Sequence, residues 1–206
     1  MISAILLAAG ESKRMGRPKQ MLAWQGKTLL QHVLVNLIRS NIDEIILVLG
    51  HEAEAIQKSR GGFQTRPYAG IKIVINPDYP QGMASSLRQG LLAMDPGSEA
   101  FLVVLADQPG IGPEIINQII DAFQRADPRR GIARPVYRGL RGHPVLISVR
   151  YLQEALQLQG DVGARQILMN HPEDILEIEA DQEGILKDID THEEYQRYLN
   201  QTGPGG

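Results

Sequence analysis

Apolar runs and amphipathic stretches alternate along the first 126 residues. Residues 3–8 are almost unbroken apolar sequence, the pattern of a strand buried on both faces. Residues 28–40 predict a helix with Leu29, Leu30, Val33, Leu34, Leu37 and Ile38 on one face. A second strand follows at 44–49 and a short helix at 52–59. A third strand, 71–75, ends at Asn76-Pro77. Residues 85–94 predict a helix with Leu87, Leu91 and Met94 as its apolar stripe, and 100–106 a fourth strand. Gly112-Pro113-Glu114 opens a further helix to residue 126, with proline in the first turn, where its missing N–H has no helical partner to lose.

After residue 126 the rhythm changes. Strands at 131–136 and 144–147 flank a glycine- and cation-rich loop, 137–142. Helices are predicted at 150–158 and 163–169, and short strands at 175–178 and 185–188. The last helix, 191–199, has Thr191 as N-cap and Glu194 in the capping-box position. Alternating strands and helices predict an α/β fold, a mostly parallel sheet flanked by helices. Ligands of such sheets bind at the carboxyl ends of strands, so the loops after strands one, three and four should converge. Residues 1–200 read as one domain and 201–206 as a disordered tail. The stretch 61–70, with Arg66, Pro67 and Tyr68, is long for its position and reads as a lid or a quaternary contact.

A net charge of −3 gives no electrostatic reason to expect nucleic acid or an anionic membrane as partner. The local cluster Lys13, Arg14, Arg17 and Lys19 therefore matters more than the total. The absence of cysteine excludes disulfides, thiolate metal sites and cysteine nucleophiles, and fits a cytoplasmic setting. No apolar run approaches the roughly 20 residues of a membrane-spanning helix. The histidines lack zinc spacing: His51-Glu52 begins like His-Glu-x-x-His, but position 55 is Ala.

The cation cluster lies in the loop after the first strand. Gly10 and Gly16 let the backbone approach a ligand closely, and the N–H groups between them can face an anion. Arg14 and Lys19 add full charge, so the loop reads as a phosphate cradle. It is neither of the two common ones. Ala8 and Ser12 do not supply the Rossmann Gly-x-Gly-x-x-Gly, and five residues rather than four separate the glycines, with Arg17 next.

The run Leu7-Ala8-Ala9-Gly10-x-Ser12-x-Arg14-Met15-Gly16-x-x-Lys19 resembles the signature of the molybdenum cofactor guanylyltransferase/cytidylyltransferase (NTP transferase) family, and is nearest the cytidylyltransferase branch. Gly82-Met-Ala-Ser-Ser-Leu87, Ala106-Asp-Gln-Pro109, Arg141-Gly-His-Pro-Val-Leu146, Gly160-Asp-x-Gly-Ala-Arg165 and Asp188-Ile-Asp-Thr191 extend the likeness to residues 2–198. It implies a Rossmann-like, GT-A-like nucleotidyltransferase fold. It further implies Mg-dependent transfer of CMP from CTP to the terminal phosphate of molybdenum-molybdopterin, with release of pyrophosphate. Leu7, Ala8, Ala9, Gly10, Ser12, Arg14, Gly16 and Lys19, with Gly82, Ser85 and Ser86, would then bind nucleotide. Arg14, Lys19 and Asp107 would be catalytic. A carboxylate at the end of a strand, as Asp107 is, can hold Mg²⁺ beside a triphosphate. The resemblance favours Asp190 over Asp188 as second ligand.

Arg141, His143, Asp161 and Arg165 fall on the acceptor side by the same likeness. Local alternatives stay open: a serine N-cap at 85 or 86, a turn role for His143, and Asp161 as cap of the helix at 163–169. Trp24 reads as a packing residue that holds Lys19. Cytidylyl-type relatives carry Ala-Ala-Gly in the first loop and guanylyl-type relatives Ala-Gly-Gly, so Ala9 favours CTP, although one methyl discriminates by only about 1–3 kcal/mol. A molybdoenzyme or its insertion chaperone is the implied partner. Two other functions compete: nucleotidyl transfer to a sugar or polyol phosphate, and a non-catalytic molybdopterin-binding chaperone.

Overall fold

The computed structural model describes residues 1–58, 68 and 70–201. The segment read as a lid falls mostly outside the described residues, as does the tail beyond Gln201. Strand β1 (Ile2–Ala8) is buried along its whole length. It pairs in parallel with β4 (Glu44–Leu49) on one side and β6 (Ala100–Leu105) on the other. The eight-stranded sheet is completed by β5 (Lys72–Ile75), β7 (Ile132–Tyr137), β8 (Leu140–Arg141), β9 (Val145–Ser148) and β10 (Ile175–Glu179). Its order is β10-β7-β9-β6-β1-β4-β5, with β8 paired to β7. Strand β9 runs antiparallel to both neighbours, and β10 is parallel to β7. The sheet is thus mostly parallel and flanked by helices, as the alternating pattern predicts.

The apolar run of β1 divides alternately between two faces. Ala4, Leu6 and Ala8 join Leu30, Leu34, Ile116 and Ile119, from α1 (Leu29–Ile38) and α4 (Pro113–Arg125). Ile5 and Leu7 face Leu87 and Leu91 of α3 (Met83–Leu92), with Ala155 of α5 (Leu152–Leu156) and Ile167 of α6 (Arg165–Asn170). A strand buried on both faces needs no polar alternation, hence the continuous run.

The connections differ from expectation in several places. Between β1 and α1 lies a hairpin, β2 (Ala23–Trp24) and β3 (Lys27–Thr28), turned by Gln25 and Gly26 at positive φ. Thr28 then caps α1 in a reciprocal box with Gln31, an arrangement worth about 1 kcal/mol. The loop expected at 137–142 is a tight hairpin through Arg138 and Gly139, both at positive φ. The helix expected at 52–59 is α2 (Ala53–Lys58). No strand forms at 185–188. A 3-10 turn, Glu183–Leu186, instead buries Ile185 in the core cluster beside β7. The apolar Ile185-Leu186 pair reflects that burial, not a pleat. Helix α7 (His192–Gln201) ends the described chain, and its capping box is as expected, with Glu194 N donating to Thr191 Oγ1 at 3.2 Å and Thr191 N to Glu194 Oε2 at 2.8 Å. No helix among the described residues is long and apolar enough to cross a membrane.

Helix α3 lies so close on β1 that a Cβ at Gly90 would stand 2.4 Å from Ile5 Cγ2 and 3.2 Å from Val48 Cγ2. Gly90→Val should therefore lower unfolding stability by about 1–3 kcal/mol through overpacking. Chemical denaturation of both proteins measures it, and an unchanged midpoint contradicts the packing.

Candidate active site

The first loop folds back on its own start. Ser12 takes a left-handed conformation (φ 53), and Gly16 another (φ 64), on either side of a 3-10 turn at Lys13–Met15. Two stitches close the loop. Ser12 Oγ accepts from Lys19 N at 3.0 Å. Gln20, 2 % exposed, donates from Nε2 to the carbonyls of Ala8 (2.9 Å) and Gly10 (3.2 Å). Gln20 escapes notice in the sequence because nothing in a lone polar residue before Met21-Leu22 announces that it is buried.

This fold brings Lys19 to the end of β6. Its Nζ donates to Asp107 Oδ2 at 2.5 Å and to Asp190 Oδ1 at 2.7 Å, and Arg14 Nη2 donates to Asp190 Oδ2 at 2.6 Å. The three residues argued to be catalytic and the two argued to hold metal thus meet in one junction. Burial works against the Lys19 charge. The charge and hydrogen bond of Asp107, then those of Asp190, outweigh it, and the ammonium titrates above the usual lysine range. Burial likewise pushes Asp190 up, but Lys19 and then Arg14 bring its carboxyl below the usual range.

The backbone on either side of Asp190 is tied down. Ile189, 1 % exposed, donates its N–H to the Asp107 carbonyl at 3.1 Å. Asp190 N donates to Glu194 Oε2 at 2.9 Å, inside the α7 cap. Asp188 sits beside them, its carboxyl pushed up by burial and by the neighbouring Asp190, Asp107 and Glu194. His143 Nδ1 is buried with no hydrogen-bond partner among the described residues. Burial lowers its pKa despite the nearby Asp107 and Asp188 charges, so the ring is neutral near pH 7.

Two adjoining clefts open at this junction. The inner one has apolar walls from Leu7, Ala9, Met83 and Leu105, with Lys19, Asp107 and Ser86 among its polar groups. The outer one is lined by Gly10, Ser12, Arg14, Lys19, Asp161 and Asp190. Gly16, Ser85, Arg141, His143 and Arg165 line neither. The Arg141 guanidinium instead pairs with Glu177, at 3.1 Å, on the far edge of the sheet, and Arg165 is exposed at the start of α6. Trp24 packs on His32 and Tyr198 near Leu22 and Leu29.

The second loop is tied to the fourth. Gly82 (φ 103) lies so close to Gly160 that a Cβ would fall 2.5 Å from its backbone. Met83 N donates to Asp161 Oδ1 at 3.2 Å and Ala84 N to Gly160 O at 3.0 Å. Asp161 therefore caps α3, across space, and not the helix that follows it in sequence. Neither serine caps α3: its N-cap is Gly82, without a side-chain bond. The first N–H groups of α3 are already taken. Asn76, fully buried after β5, is a second residue the sequence reading missed.

The basic glycine loop and the paired carboxylates lie at a switch point of the α/β sheet, with β4, the sequence successor of β1, on one side of β1 and β6 on the other, which is where ligands of such sheets bind. The model of the MobA-like NTP transferase domain matches residues 4–175, and the chain belongs to this family of nucleotidyltransferases. It is 32% identical to nicotine blue oxidoreductase of Paenarthrobacter nicotinovorans, over 96% of each chain. It is 30% identical to the molybdenum cofactor cytidylyltransferase of Escherichia coli K12, over 94% of this chain and 93% of the relative. Among solved structures it is similar to Rv0371c of Mycobacterium tuberculosis H37Rv, with TM-score 0.84, 31% identity and 97% of each chain covered. A manganese complex of Rv0371c superposes with TM-score 0.80 at 28% identity, over 98% of this chain and 99% of that one.

The residues present fit a divalent cation. Asp107 and Asp190 face each other across one ammonium, and Asp107 Oδ1 is buried with no hydrogen-bond partner among the described residues. Hard cations take such oxygens. Lys19 pairs with both carboxylates that would hold the ion, so it competes with the ion for them. Lys19→Met should raise Mn²⁺ affinity in the absence of nucleotide by about tenfold, the equivalent of 1.4 kcal/mol. Titration followed by electron paramagnetic resonance checks this, and an equal or weaker affinity contradicts the competition.

Proposed function

We propose that the protein transfers CMP from CTP to the terminal phosphate of a molybdopterin-type acceptor, releasing pyrophosphate, with Mg²⁺ as the physiological ion. The observation that carries this reading is the junction of Lys19 with Asp107 and Asp190 at the mouth of a cleft built on Ala8, Ala9 and Gly10. The E. coli relative, matched over nearly its full length, supports the donor and acceptor. A divalent cation held by Asp107 and Asp190 would offset phosphate charge in the transition state. Lys19, released from those carboxylates, would face the α-phosphate, and Arg14 the departing pyrophosphate. Catalysis of this kind is positioning and electrostatics and needs no protein nucleophile.

The remaining assignments belong to the same proposal. Residues 1–200 act as one domain in the cytoplasm and pass their product to a molybdoenzyme or its insertion chaperone. Ser12 and Gly16 shape the phosphate loop, while Ser85 and Ser86 serve the nucleotide site. Arg141, His143, Asp161 and Arg165 serve the acceptor. Of these four only Asp161 lines the clefts, so an acceptor role for the others needs them to be reached by a large ligand. The oxidoreductase name of one relative raises a redox reading. The spacing of Gly10 and Gly16 gives it no dinucleotide fingerprint.

The deciding experiment incubates the protein with Mg²⁺, each of four labelled triphosphates and molybdopterin extract, and follows pyrophosphate. CTP should be used most efficiently. Preference for GTP, or pyrophosphate formed only with a sugar phosphate, overturns the assignment. In the same assay Lys19→Ala should abolish turnover with the fold intact. Asp107→Asn should raise the Mg²⁺ requirement more than Asp190→Asn, because Asp107 has an oxygen without a protein partner while Asp190 already has two cations on it. A normal Mg²⁺ curve for Asp107→Asn removes it from the metal site. Ala9→Gly should shift kcat/KM toward GTP by no more than about 1–3 kcal/mol, and a complete switch contradicts that limit.

A further inference from the structure

The loop after β5 carries a polar residue that the transfer chemistry leaves unused. Asn76 is 0 % exposed, and its two neighbours in space, Ser85 and Ser86, are 5 % and 4 % exposed. A buried amide costs stability unless its hydrogen bonds are made, and here they are made in a particular sense. Asn76 Oδ1 accepts from Asp78 N at 3.0 Å. A backbone N–H can only donate, so this bond fixes which end of the amide is oxygen. The Nδ2 end therefore faces the serines, and it donates to Ser85 Oγ at 2.9 Å and Ser86 Oγ at 3.0 Å.

The two hydroxyls differ in what they do next. Ser85 passes its proton to the carbonyls of Asp78 (2.9 Å) or Gly82 (2.8 Å), and it lines neither cleft. Its hydrogen bonds are complete within the protein. Ser86 accepts from Asn76 and lines the inner cleft, and its own proton has no protein acceptor among the described residues. With a lone pair occupied by the amide, Ser86 can serve the cleft as a donor. The walls beside it, Leu7, Ala9 and Leu105, suit a flat ring, while Lys19 and Arg14 lie toward the outer, charged end.

We propose that Asn76 is a positioning residue that turns Ser86 into a hydrogen-bond donor for the acceptor edge of a pyrimidine base. Cytosine offers O2 and N3 as acceptors there. The corresponding edge of guanine presents N–H groups, which a donor would oppose. This assignment rests on the cytidylyl reading. It makes Ser86 the base contact and Ser85 an internal brace.

The test uses isothermal titration of the whole protein in Mg²⁺ with CTP, GTP and inorganic tripolyphosphate, which has no base. Asn76→Asp replaces the donor amide with an ionised carboxylate that only accepts, so both serine protons turn toward it. Asn76→Asp and Ser86→Ala should each weaken CTP binding about tenfold. Neither should alter tripolyphosphate binding, and the double variant should be no weaker than either single one. Ser86→Ala, a change of one atom, carries the test if Asn76→Asp does not fold. Unchanged CTP affinity, equal losses for both probes or additive losses overturn the assignment of Asn76 and Ser86 alone. Wild-type protein that binds GTP more tightly than CTP defeats the cytidylyl reading beneath it.

Discussion

Lys19 joins parts of the chain that lie 88 and 171 residues away, through Asp107 and Asp190. Each partner comes from a different element: the first loop, the end of β6 and the segment before α7. The junction is partly buried, with side-chain exposures of 18 %, 13 % and 26 % for Lys19, Asp107 and Asp190. Two carboxylates so close together, and so poorly solvated, would repel one another without a cation between them. The ammonium supplies that cation when no other is bound. The same arrangement explains how a divalent ion and a lysine can serve one site. On the proposed reading the carboxylates would attract both, and a triphosphate would offer the lysine somewhere else to go.

The rest of the structure serves to hold this junction in place. Strand β1, buried on both faces, fixes the start of the loop, and Gln20 and Ser12 return its end to the same point. The backbone bond from Ile189 to Asp107 and the Thr191–Glu194 cap aim Asp190. Gly160 and Asp161, by capping α3, set the position of the second loop and with it Asn76 and Ser86. Loops tied back to the sheet and to the α7 cap thus carry the charged groups.

Much of this was legible in the sequence. Continuous apolar runs announced β1 and β6, and the Thr191–Glu194 capping box announced where α7 starts. The basic glycine loop pointed to Arg14 and Lys19, and its position after a buried strand, with Asp107 after another, pointed to the place where they meet. What stayed hidden depended on distant packing. A 3-10 turn at Ile185 buries the same kind of residue that a strand would. Asp161 caps a helix 78 residues away, which local reading of its own neighbourhood could not reveal. Gln20 and Asn76 look like ordinary polar loop residues, because burial of an amide leaves no periodic trace. Arg141 lies in a motif that suggests an acceptor role, yet its guanidinium is drawn to Glu177.

The central claim is that Asp107 and Asp190 share one cation position, filled by Lys19 until a divalent ion arrives. A crystal structure of the protein with Mn²⁺ and CTP, recorded at the manganese absorption edge, tests it most directly. An anomalous peak bound by oxygens of both Asp107 and Asp190, with the Lys19 ammonium moved onto the triphosphate, is the expected result. Manganese elsewhere, or Lys19 still bridging the two carboxylates beside a bound nucleotide, would contradict the account.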